Sequence, residues 1–228
     1  MARLFHFPLD PLCRRIRLAL AEYGRDAELV EERPWEGRAE FLDRNPAGLL
    51  PIFEDDDGTQ AAGIEAVGEY LDETRASRAR SLYGTSPAER AETRRLIAWF
   101  DQKFHGEVSA PLIAEKVVRR HLPREAGGGP PEMGPVRRAL ASIRAHLNYI
   151  GVLAESRNWL AGSELSAADL AAAAHLSAVD YLGDVPWEEN ADAKAWYQRI
   201  KSRPSFRPLL GDQIRGISPP RAYADLDF

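Results

Sequence analysis

The chain predicts a two-part fold, a small α/β half followed by an all-helical half, and three observations carry that prediction. Between Arg3 and Leu71 strand-like and helix-like pieces alternate, and after Leu82 the strand signals stop. Two capping-box sequences, Ser86-Pro87-Ala88-Glu89 and Ser166-Ala167-Ala168-Asp169, then open long segments of helical periodicity. The expected divisions are 1–82, 86–210 and a tail, 211–228.

Arg3 to Phe7 alternates toward a core and reads as the first strand. Pro11 to Tyr23 follows as an amphipathic helix, with Asp10 as its N-cap and Pro11 at the first helical position, where a missing N–H costs nothing. The Asp10 carboxylate is expected to accept the free N–H groups of Leu12 and Cys13. Ala27 to Glu32 reads as a second strand, so the chain starts βαβ with a parallel pair. Asn45-Pro46-Ala47-Gly48 is a turn, Leu49 to Glu54 is a strand entered through Leu50-Pro51, and Asp55-Asp56-Asp57-Gly58-Thr59 closes a hairpin. In the second half, the Ser86 box starts a helix that runs to about His121, with a partner from about Glu132 to Arg157. Between them Leu122 to Pro131, carrying Gly127-Gly128-Gly129-Pro130-Pro131, is expected to be a loop without helix. The Ser166 box, with Leu165 and Leu170 as its hydrophobic staple, opens a helix of small apolar residues, Leu170 to Val179, suited to a fully surrounded position. A last helix, Ala191 to Ser202, ends before Pro204. The tail has few apolar residues before Tyr223, Leu226 and Phe228 and is expected to be loosely held.

Composition narrows the function. The 228 residues, 44% hydrophobic and 29% charged, are those of an ordinary globular protein, and a net charge of −5 argues against nucleic acid as the main partner. The single cysteine, Cys13, excludes an internal disulfide and suits a reducing compartment. The five histidines lie too far apart for helical metal pairs, so no metal is expected. Charged residues stand where a signal peptide needs an apolar run, and no segment approaches about 18 uninterrupted apolar residues, so a cytoplasmic protein without a membrane partner is expected.

Several segments together resemble the glutathione transferase superfamily: the Asn45 to Gly48 turn with Pro51, Tyr70-Leu71, Trp159-Leu160-Ala161-Gly162, the Ser166 to Asp169 box, and Trp196 through Arg203-Pro204-Ser205-Phe206. The resemblance implies a thioredoxin-like N-terminal domain, an all-helical C-terminal domain and a cis bond before Pro51; the bland reading of Pro51 is an ordinary edge-strand proline. It also implies a glutathione site from which the chemistry is missing. In the superfamily a Cys, Ser or Tyr stands at the start of the first helix, and here that place is held by Asp10. The superfamily's Glu-Ser or Gln-Ser pair, counted back seven residues from Tyr70, falls on Gly63 and Ile64. About two charge-assisted hydrogen bonds to the substrate are thereby lost, each worth roughly 1.5–3 kcal/mol. Asp10 would also repel a substrate thiolate. Cys13 has two readings, a nucleophile in the first turn of a helix beside Arg14, or a small core residue at the buried second position of the family's Cys-Pro-Tyr-Cys loop.

A closer resemblance lies in His175 through Trp187 and the terminal Tyr223-Ala224-Asp225-Leu226-Asp227-Phe228, which are similar to transferase-fold bacterial division proteins that bind FtsZ filaments and promote their curvature, bundling and constriction. It implies an FtsZ polymer partner, a location at the division site, no catalytic residue and no cofactor. The other class of function is a glutathione-dependent transferase with a non-standard active site. Binding would reside on surfaces: the tail residues Tyr223, Asp225, Leu226, Asp227 and Phe228, either frayed or anchoring; Trp35, either buried under its loop or touching a partner; and the basic residues Arg119, Arg120, Arg124, Arg137 and Arg138, either a solvated face or an electrostatic dock. Superfamily members commonly pair, so a homodimer is expected, with Trp99, Phe100 and Phe104 able to contribute either to its interface or to the core.

Overall fold

The computed structural model describes residues 1–77 and 80–226. Four strands, β1 (Arg3–His6), β2 (Glu28–Glu31), β3 (Ile52–Glu54) and β4 (Gln60–Ala62), form one sheet in the order β2-β1-β3-β4. β1 pairs parallel with β2, with Phe5 opposite Val30, and antiparallel with β3, with Phe5 opposite Ile52. The hairpin from β3 to β4 turns through Gly58 at φ 87°, a conformation that a side chain would strain. Helix α1 (Pro11–Glu22) crosses between the parallel strands, α2 (Ala39–Arg44) precedes β3, and α3 (Ile64–Arg75) follows β4. The Leu50-Pro51 bond is cis.

The second half is helical. A continuous helical run over 87–121, α4, starts at a complete capping box in which Ser86 Oγ accepts the Glu89 N–H and the Glu89 carboxylate accepts the Ser86 N–H. Its middle turns, Trp99–Ser109 and Ala114–Val118, are wider than α-helical ones, and at its lower join the Ala110 N–H reaches back to the His105 carbonyl, five residues away. α5 (Met133–Ser156), α6 (Ala167–Tyr181) and α7 (Ala191–Lys201) follow. The connection expected to be free of helix holds one short 3₁₀ turn, Arg124–Ala126, closed by Gly127 at φ 87°.

Every residue of α6 is buried, which its alanine-rich sequence permits because neighbouring backbones can approach on all sides. The main core runs without a break from Leu4, Ile16 and Leu71 of the first half to Phe100, Phe104 and Leu176 of the second. Phe100 and Phe104 are wholly inside it, so they are core residues and not an exposed pairing face. Trp99 is half-buried, and its indole donates to His146 Nδ1 at 3.1 Å. No described helix is long and apolar enough to cross a membrane.

Candidate functional site

The start of α1 is built as its sequence dictates. Asp10 is extended (φ −69°, ψ 119°), and its carboxylate accepts the Cys13 N–H at 2.9 Å. Burial pushes the Asp10 carboxyl up, against the pull of the Cys13 and Leu12 N–H groups and of His105 across the join on α4. Cys13 is fully buried, and burial, followed by the charge of Asp10, pushes its thiol well up. The chemistry of a reactive thiolate is absent from that environment. Arg14 does not flank the thiol as an activating cation, because its guanidinium reaches Ser177, Tyr223 and Asp212. Pro51 offers its carbonyl to the Gly63 N–H at 2.9 Å. Gly63 caps α3 at φ 89° without a side chain, and Ile64 opens that helix half-buried against the core. Cys13, Leu50, Ile52 and Ala62 share one apolar cluster, so the loop at Asp10 and the Pro51 segment do come together.

That cluster continues across the join between the halves. Phe7 and Leu9 meet Ile113 and Val117 of α4, Tyr181 of α6, and three residues of the tail, Ile214, Ile217 and Tyr223. The tail is therefore held firmly, contrary to expectation. Tyr181 Oη accepts the Ile214 N–H and donates to the Ile217 carbonyl, both at 3.0 Å. Tyr223 is 1% exposed, donates to the Leu209 carbonyl at 3.0 Å, accepts from Arg14 and meets the Tyr181 ring edge-on at 5.1 Å. Beyond it Asp225 is exposed and Leu226 half-buried; Asp227 and Phe228 lie outside the described residues.

Family models of the glutathione S-transferase N-terminal and C-terminal domains match residues 4–79 and 119–199. The chain belongs to the glutathione S-transferase family. It is 44% identical over 228 residues to FtsZ-localized protein A of Caulobacter vibrioides, covering 99% of this chain and 97% of that protein. Among solved structures it is similar to FzlA from C. crescentus, with a TM-score of 0.93, 44% identity, and 100% and 99% of the two chains covered. It is more similar still to a glutathione S-transferase from Sinorhizobium meliloti 1021, with a TM-score of 0.97, 48% identity and full coverage of both chains.

On this transferase fold two of the surface candidates, Trp35 and Arg120, lie beside the tail. Trp35 is half-buried, with the Phe7 ring edge-on at 4.9 Å and the His121 ring stacked at 6.0 Å. Trp35 is thus covered in part by the protein itself, so the burial reading holds in part. His121 ends α4, and its imidazole is held below its ordinary range by burial and then by the charges of Arg33 and Arg215. Arg120 donates to the Gly216 carbonyl of the tail at 3.3 Å. Arg119 is committed to Glu115 and Glu132, which ties the start of α5 to the end of α4. Arg124, Arg137 and Arg138 are exposed and have no ion-pair partner among the described residues.

Two polar systems lie beyond the sequence analysis. Arg14 and Arg17 of α1 converge on Asp212 of the tail. Ser109 Oγ lies 2.8 Å from His175 Nδ1, and His175 Nε2 lies 3.2 Å from Asp101, which pairs with Arg15. The Ser-His-Asp order suggests a nucleophile, but Ser109 and His175 are both 0% exposed, so no substrate reaches them. The available signal was Arg14-Arg15-Ile16-Arg17 itself, three cations on a short helix whose every position from 13 to 18 is buried.

Proposed function

We propose that the protein is a non-enzymatic, homodimeric adaptor that binds FtsZ filaments at the bacterial division site and promotes their curvature, bundling and constriction. The observation that carries the reading is the 44% identity to FtsZ-localized protein A, which extends over 99% of the chain and so includes the tail. The apolar cluster in which Phe7, Leu9, Ile113, Val117 and the tail pack together supports it, as do Asp10 at the head of α1 and Gly63 and Ile64 at the head of α3. An aromatic and basic face, in which Trp35, His121 and Arg120 adjoin the tail, is the surface on offer to a partner. An acidic filament would dock there, and two copies of the face in a dimer would bridge neighbouring subunits by avidity.

Sedimentation of the purified protein with FtsZ in GTP or GDP tests this. Pelleting is expected only with polymer. A chain ending at Ala224 keeps Tyr223 and its docked segment, and loses binding if Asp225 to Phe228 are anchors; unchanged binding removes the tail end as a site. The double reversal Arg137→Glu with Arg138→Glu is expected to lower affinity on the order of tenfold at low salt and to flatten the salt dependence. Absence of pelleting at low salt overturns the reading. The second reading, a transferase with an altered site, rests on the 48% identity to the Sinorhizobium meliloti glutathione S-transferase. Calorimetric binding of glutathione together with turnover of an electrophile would favour it.

A further inference from the structure

Behind the tail, Arg14 and Arg17 hold an acidic side chain, with the buried His6 as their neighbour. That side chain is Asp212: Arg17 grips the carboxylate through two N–H groups, at 2.8 and 2.9 Å, and Arg14 adds a third at 3.0 Å. The arginine side chains are 0% and 7% exposed, so the grip is desolvated. Arg14 is itself fixed from behind by the Pro8 carbonyl, Ser177 and Tyr223. The neighbouring His6 is 4% exposed, and its Nδ1 has no hydrogen-bond partner, an unusual state for a buried ring nitrogen. Its electrostatic neighbours are Arg17, Asp212 and Arg14.

The cations and the imidazole sit on β1 and α1, which are pinned by the sheet and by α6. Asp212 sits on a non-helical segment whose neighbours Gly211 and Gln213 are exposed. The socket is thus rigid while its occupant belongs to a strap. We infer that Arg14, Arg17 and His6 form an oxyanion socket that takes a small carboxylate or phosphate in exchange for Asp212, loosening the tail. Two guanidinium groups in fork geometry match either oxyanion, and the buried His6 Nδ1 beside them is a polar atom that Asp212 does not engage. The inference goes beyond filament binding and stands or falls independently of it.

Thermal unfolding of the Asp212→Ala chain tests it, in sodium chloride, sodium phosphate or sodium acetate at one ionic strength. In chloride the variant is expected to melt at least about 4 °C below wild type, because two buried guanidinium groups lose their counter-charge. Phosphate, acetate or both should return at least half of that loss, and which of them acts identifies the ligand chemistry. The Arg17→Leu/Asp212→Ala chain should show no such gain. Equal responses of the two variants, or none, overturn the socket. The wild-type chain gives a second measurement that needs no variant to fold. The effective anion should raise the rate of trypsin cleavage after Arg215 by at least about threefold over chloride, since cleavage follows the population of the open tail. An unchanged rate also overturns the exchange.

Discussion

His6 shows how much a single side chain can carry in this molecule. Burial and then Arg17 hold its imidazole down to about 4; Asp212 pulls the other way, and Arg14 adds the smallest push down. A histidine depressed in the folded state contributes stability that is complete above its unfolded pKa of about 6.5 and is lost as pH falls toward the folded value. Between pH 7.5 and 4 the wild type is expected to lose about 3 kcal/mol more than a His6→Leu chain, the loss still incomplete at pH 4 where the folded imidazole is half protonated. Urea unfolding at a series of pH values would show it; parallel profiles for the two chains would remove His6 as the titrating group. Cys13 is the opposite case, a residue whose burial leaves nothing to titrate near neutrality.

At the scale of elements, the head of α6 is the point on which several loops depend. Asp169 is fully buried and accepts four hydrogen bonds, from the Ser166 N–H and hydroxyl, the Leu160 N–H and the Trp196 indole. The Ser166 hydroxyl is turned toward that carboxylate, so Asp169 holds the helix start together with the Trp159 to Gly162 turn and α7. Burial pushes the Asp169 carboxyl up, and the four donors pull it back only in part. Asp169→Ala would strand those donors and is expected to cost about 3–5 kcal/mol in urea unfolding, with Asp169→Asn recovering part of it because the amide oxygen still accepts. A loss below about 1 kcal/mol would show that water satisfies the donors instead. The capping-box pattern was legible in the sequence because it is local. The Leu160 and Trp196 contacts were not, because they join positions 9 and 27 residues away.

At the scale of the whole molecule, the two halves share one core and one set of buried charges. Arg15 of α1 pairs with Asp101 of α4 and donates to Tyr83 at 2.7 Å, and both contacts cross the join. Gly68 on α3 makes room for them: a Cβ there would lie 2.6 Å from Tyr83 Oη and 2.8 Å from Arg15 Nη2. Burial raises the Asp101 carboxyl, and Arg15 and His175 outweigh that and hold it below the ordinary range. Arg15→Met is expected to destabilise by about 3–5 kcal/mol, with both halves still melting in one transition, and Arg15→Met/Asp101→Leu should recover much of the loss. With Arg15 gone, burial raises the Asp101 carboxyl, so the single variant should also lose stability as pH climbs above the unfolded carboxylate value of about 3.9. Separate transitions for sheet and helical signals would refute the shared core.

The sequence by itself determined the α/β start, the helical second half, the Asp10 cap, the surrounded α6 and the apolar character of Gly63 and Ile64, because capping, periodicity and turn chemistry act over a few residues. Only the tertiary structure decided the fate of the tail and of the arginines on α1. A tail poor in apolar residues reads as loose until Ile214, Ile217 and Tyr223 are seen to pack against Phe7 and Tyr181 in one apolar cluster and Asp212 to answer Arg14 and Arg17. The sequence separation of these partners, 195 residues for Arg17 and Asp212 and 209 for Arg14 and Tyr223, places their pairing beyond any local pattern. Burial decides the energy of such charges, and burial is a property of the assembled fold.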